Sequence, residues 1–126
     1  LIASGVLTIG PRISTIEVQQ RMAEAFCCLQ FNAREFPYLV STKIYEYGAA
    51  RRPVLSINYG GEIVRLIEDH GLGWSANAER PEQIESALRD VHRLWLEDSA
   101  YALEPTDFDK YSYDMLAATY DGLLTR

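Results

Sequence analysis

Apolar positions alternate along this chain between short compact runs and longer stretches with a helical repeat. Leu1 to Leu7 reads as a short strand, and Cys27-Cys28-Leu29-Gln30-Phe31 reads as another, apolar enough to be buried on both faces. Between them a polar loop, Thr8 to Ile13, runs into Ser14-Thr15-Ile16-Glu17, the spacing of a capping box. A helix is predicted from there, with Val18, Met22, Ala25 and Phe26 on its apolar face.

The same rhythm continues. Asn32 to Val40 forms a loop broken by Pro37, after which Ser41 and Thr42 are candidate caps for a helix reaching about Ala50. Pro53 to Ile57 is a strand, Asn58-Tyr59-Gly60-Gly61 is turn chemistry, and Glu62 to His70 is a helix with Ile63, Leu66 and Ile67 inward and Gly71 as its stop. Leu72 to Ser75 supplies a fourth strand. Ile84, Leu88, Val91 and Trp95 mark the core stripe of a long helix starting at Pro81, and Tyr113, Leu116, Tyr120 and Leu123 mark that of a last one. Four strands alternating with helices predict an α/β fold with a parallel, doubly wound, Rossmann-like sheet. Ligands of such sheets sit outside the carboxyl ends of the strands, which are here the loops at 8–13, 32–42 and 58–61.

A length of 126 residues fits a single domain spanning 1–126 and excludes a two-domain enzyme with its own interdomain cleft. The net charge of −6 argues against nucleic acid or an anionic membrane as partner. That charge is uneven. Residues 1–61 carry six basic and four acidic groups, and residues 62–126 carry six and fourteen, so an anionic ligand would prefer the first half. Cys27 and Cys28, adjacent on a strand, point to opposite faces and read as small buried hydrophobes in a reducing setting. No apolar run approaches the ~20 residues of a membrane span. The chain lacks a Gly-x-Gly-x-x-Gly, a Walker lysine loop, a Gly-x-Ser-x-Gly elbow and any metal-spaced His/Cys cluster, so neither a metal nor a resident cofactor is expected. His70, at a helix end, and His92, between Arg89 and Arg93, read as capping or solvated residues.

The informative stretch is Ser41-Thr42-Lys43-Ile44-Tyr45-Glu46-Tyr47 with the Ala49-Ala50-Arg51-Arg52-Pro53-Val54-Leu55 that follows. A helix start with two hydroxyls and a lysine is a ready anion site, because the dipole, the donors and the cation act on one region. Glu46 lies one turn after Lys43, where its carboxylate could accept two sugar hydroxyls, or where the two could form an ordinary surface ion pair. This stretch resembles the signature of GT-B glycosyltransferases of the family 4 type, a Lys-x-x-Glu-Tyr helix leading into a Pro-Val strand. Gly60-Gly61-Glu62, Gly71-Leu72-Gly73 and Pro81-Glu82-Gln83-Ile84 resemble the family in the same order, so the likeness covers nearly the whole chain.

The resemblance implies the carboxyl-terminal, nucleotide-sugar-binding domain of such an enzyme, acting with retention of configuration in glycan or polysaccharide biosynthesis, without a metal. It implies that Glu46 binds the ribose, that Ser41 and Thr42 face the diphosphate, and that Lys43 stabilises it as leaving group. Ile9, Arg12 and Ile13 then lie near the base. The family's second glutamate, ahead of the helix one, is replaced by Tyr38 on the sugar side. The family's opening strands and amino-terminal acceptor domain have no counterpart before Leu1, so the piece is expected to be inactive alone, and uncovered apolar surface would favour a homodimer. The expected location is cytoplasmic, or membrane-peripheral through a missing part. Two alternatives remain: a sugar-nucleotide epimerase half, which needs a proton-abstracting group not visible here, and a non-catalytic α/β interaction module. A receiver domain is disfavoured because Thr8-Ile9-Gly10 stands where acidic residues belong.

Overall fold

The computed structural model describes residues 3–124. Three parallel strands, β1 (Cys28–Phe31), β2 (Val54–Asn58) and β3 (Gly73–Asn77), form a sheet in the order β1-β2-β3. Five α-helices surround it: α1 (Thr15–Glu24), α2 (Lys43–Ala49), α3 (Glu62–His70), α4 (Pro81–Glu97) and α5 (Tyr113–Leu124), with a 3-10 turn at Phe108–Tyr111. An α/β fold with a parallel sheet is therefore present, consistent with a Rossmann-like arrangement.

Alternation along β2 divides the core in two. Val54 faces Ile44 of α2 and Ile63, Leu66 and Ile67 of α3, whereas its neighbour Leu55 clusters with Ala76 of β3 and Ala87 of α4. Helices thus cover both faces. α2 and α3 run back from the carboxyl edge of the sheet to its amino edge, so both helix starts lie at the carboxyl edge. Gly71 ends α3 in the left-handed region (φ 61°), which a glycine adopts without steric cost, and its N–H caps the helix by donating to Glu68 O.

Several expectations need correction. The predicted strand Leu1–Leu7 falls partly on residues outside those described, and residues 3–7 are turn and bend with Val6 exposed and Gly5 at φ 73°, a conformation that breaks an extended run. The sheet accordingly has three strands among the described residues, not four. β1 is not buried on both faces. Cys28 and Gln30 are covered, but Leu29 and Phe31 are 49% and 65% exposed, because α4 packs on β2 and β3 and leaves that face of β1 open.

The stripe of α4 is rotated: Ala87 is its buried residue, with Ile84, Val91 and Leu94 half-buried, while Leu88 and Trp95 point outward. The stripe of α5 is uncovered altogether, with Tyr113, Leu116, Tyr120 and Leu123 all exposed. The capping box of α1 is formed as expected. Ser14 N–H donates to Glu17 Oε2 at 3.0 Å and Glu17 N–H to Ser14 Oγ at 3.3 Å; the Ser14 N–H and the Ser14 hydroxyl, which donates to the same oxygen at 2.9 Å, hold the Glu17 carboxyl below its usual range.

Candidate functional site

The loop from Asn32 to Thr42 and the turn from Tyr59 to Gly61 meet at the carboxyl edge. Gly61 lies so close to the carbonyl of Pro37 that any Cβ there would collide with that backbone, and its φ of 89° independently favours glycine. This contact sets the start of α3 against the loop that leads into α2.

At the start of α2 the side-chain caps expected from Ser41 and Thr42 are only half realised. Lys43 N–H reaches Ser41 Oγ at 3.4 Å, but Thr42 sits in helical backbone and its hydroxyl caps nothing. The next two amides are already used, Ile44 N–H donating to Ser41 O and Tyr45 N–H to Thr42 O, both at 3.1 Å. An anion here would therefore depend on the Lys43 ammonium and the Thr42 hydroxyl more than on open amides. Lys43 and Glu46 are both exposed, and among the described residues no ion pair joins them. The surface-pair alternative is not formed.

Glu46 and Thr42 line one groove of about 440 Å³, shared with Tyr45, Tyr111, Tyr113 and Leu116. Burial pushes the Tyr45 phenol above its usual range, with Tyr111 and the Glu62 carboxylate acting in the same direction, so it stays a neutral hydroxyl. The other residues expected at the site are scattered. Ile13 lines a different cleft, against Val18, Met22, Cys27, Leu29 and Tyr47. Ile9, Arg12 and Tyr38 are exposed, Ile9 by 76% and Tyr38 by 69%, with the Tyr38 ring edge-on to Phe36 at 6.4 Å. Among the described residues no group of three His, Cys, Asp or Glu could hold a metal, and no helix is long and apolar enough to cross a membrane.

Two features were not foreseen from sequence. His70 is buried rather than solvated. Its Nδ1 lies 2.5 Å from Thr106 O and its Nε2 3.2 Å from the Tyr111 hydroxyl, so the segment after α4 is fastened to the end of α3. His92, in contrast, is exposed and tilts against Trp95. The second feature is a buried polar row, Gln30, Ser56 and Asn58, at the carboxyl half of the sheet. Polar residues at every second position of otherwise apolar strands were its visible signal.

Comparison with protein-family models, curated proteins and solved structures gives no match to this chain.

Proposed function

We propose that this chain is the donor-binding part of a glycosyltransferase that moves a sugar from a nucleoside diphosphate sugar to an acceptor, with retention of configuration. The observation that supports it is the groove shared by Glu46 and Thr42 one turn apart at the start of α2, with Lys43 on the same turn and, among the described residues, in no ion pair. Its volume falls within the range of small-molecule sites, and three tyrosines offer apolar ring surface next to a hydrogen-bonding carboxylate. In this reading Glu46 accepts the two ribose hydroxyls. Lys43 and the Ser41 and Thr42 hydroxyls then stabilise charge that grows on the departing diphosphate, which lowers the barrier without a general base. The Lys43 ammonium acts as a leaving-group stabiliser, and no metal or resident cofactor is required. The acceptor would be held by another domain.

Calorimetric titration of the chain with nucleoside diphosphates bearing each common base tests the reading. Binding of at least one is expected, and Glu46→Ala should weaken it on the order of tenfold, since charge-assisted hydrogen bonds contribute about 1.5–3 kcal/mol each. In an intact enzyme Lys43→Ala should lower turnover as well as affinity. Unchanged affinity in Glu46→Ala would sink the donor-site assignment. The exposed stripe of α5 favours the second reading, a non-catalytic interaction module, which predicts no nucleotide binding by any variant.

A further inference from the structure

A single run of side-chain hydrogen bonds crosses the carboxyl half of the sheet and ends in the loop that leads into α2. Asn58 Nδ2 donates to Ser56 Oγ at 3.0 Å and to Ser75 Oγ at 2.9 Å, and Ser56 Oγ donates to Gln30 Oε1 at 2.5 Å. Gln30 Nε2 donates to Asn32 Oδ1, and Asn32 Nδ2 donates to the carbonyl of Leu39 at 2.9 Å. At the other end Asn58 Oδ1 accepts the N–H of Gly60 at 2.9 Å. The register explains how this is possible, since Gln30, Ser56 and Ser75 lie in one row across the three strands.

The run has a direction, and its two ends dictate it. Gly60 N–H can only donate, so Asn58 must present its carbonyl oxygen there and turn its NH2 toward Ser56. Leu39 C=O can only accept, so Asn32 must present its NH2 there and its oxygen toward Gln30. Between these fixed ends each group has one orientation that satisfies both neighbours. Gln30, Ser56 and Asn58 are 4%, 0% and 1% exposed, so water cannot replace a missing partner. Breaking one link leaves a buried polar atom unpaired, and the loop end of the run, residues 33–42, is where that mismatch can be relieved, because no strand pairing holds it.

We infer that this run ties the β1–α2 loop to the β2–α3 turn, and that Gln30, Ser56 and Asn32 are positioning residues which hold the Leu39–Lys43 segment in place through buried side chains. Their bearing on donor binding rests on the reading proposed above, whereas the tie between loops does not.

Hydrogen exchange followed by mass spectrometry on the 126-residue chain tests it, with Ser56→Ala, Asn32→Asp, the double variant and Ile84→Ala. Ser56→Ala removes a hydroxyl from the centre of the sheet, yet amides 39–44 should exchange about tenfold faster, as they should in Asn32→Asp. The double variant should exchange no faster than the faster single one, because both cut the same run. Ile84→Ala, which weakens the core on the other sheet face, should leave these amides unchanged. Exchange altered only at strand amides in Ser56→Ala, additive effects in the double variant, or equal loop opening in Ile84→Ala would each overturn the tie. Titration of the same variants with nucleoside diphosphates separates the two readings: a loop that opens in a chain binding no nucleotide sinks the donor site and leaves the tie standing.

Discussion

Gly48 stands inside α2, where alanine should be the better residue by roughly 0.8–1 kcal/mol. The structure gives a reason for glycine. A methyl group at Gly48 would come within 2.5 Å of Phe108 Cζ and 3.0 Å of its Cδ1, against an ordinary carbon contact of about 3.5–4.0 Å. The ring cannot simply swing away, because it is 8% exposed and is held by Tyr45, His70 and Tyr111, with ring centroids 6.1, 5.6 and 5.4 Å distant. Overpacking of this kind costs about 1–3 kcal/mol, and moving the ring toward water forfeits part of the roughly 1.5–3 kcal/mol from its burial. After the helix gain is deducted, Gly48→Ala should destabilise the chain by about 1–3 kcal/mol.

Urea denaturation of four proteins reads this directly: wild type, Gly48→Ala, Phe108→Ala and the double variant. The sign of the Gly48→Ala effect should reverse in the Phe108→Ala background, where the methyl group has room and only the helix preference of about 1 kcal/mol remains. A stabilising Gly48→Ala in the presence of Phe108 would refute the argument. So would a penalty that persists without the ring, since the cost would then lie in the helix and not in its contact.

Arg51 follows α2 at φ 54° inside a helix-terminating motif, its N–H donating to Gly48 O and that of Arg52 to Tyr47 O, so Arg51→Gly should raise stability by up to about 1 kcal/mol in the same denaturation assay. Burial pushes the Cys27 thiol up to about 11, so iodoacetamide should modify it far more slowly in the folded than in the unfolded chain at neutral pH. Because the folded value is raised, the associated stability is complete below the ordinary thiol range and disappears as pH rises through about 11, which unfolding at stepped pH of wild type and Cys27→Ala measures. Phe31→Glu, on the open face of β1, should weaken self-association seen by sedimentation at high concentration, and a wild type that stays monomeric would end the homodimer expectation.

The order of helices and strands from α1 onward was readable because each element carries its own period and its own punctuation, such as the Ser14–Glu17 box and the Gly71 stop. Glu46 and Lys43 were singled out by the Lys-x-x-Glu spacing on one helix, a local property, and by the family resemblance that this stretch carries. Ile9, Arg12 and Ile13 were assigned from the family resemblance, on a loop expected to follow a strand at Leu1–Leu7, and the described part of that segment is turn and bend. The polar run was hidden for a related reason. Gln30 and Ser56 are 26 residues apart, and only the register of β1 on β2 makes them partners.

α5 shows the same limit from the other side. Its repeat of Tyr113, Leu116, Tyr120 and Leu123 has the spacing of a buried stripe, yet all four side chains are exposed. A helical period specifies that apolar groups share a face; it contains no information on the surface that covers them. The two other helices with strong stripes are held by a partner on the sheet: α3 by Val54 and α4 by Leu55 and Ala76. α5 packs mainly on the 3-10 turn, with Tyr111 between it and α2. The groove that contains Glu46 is consequently walled on one side by a helix with no buried side chain. If α5 shifted, Tyr113 and Leu116 would leave the groove while Thr42, Tyr45 and Glu46, anchored through Ile44 in the core, would stay. Truncation after Ser112 should therefore weaken nucleotide binding less than Glu46→Ala if the carboxylate supplies most of the affinity, and more if the tyrosine wall does.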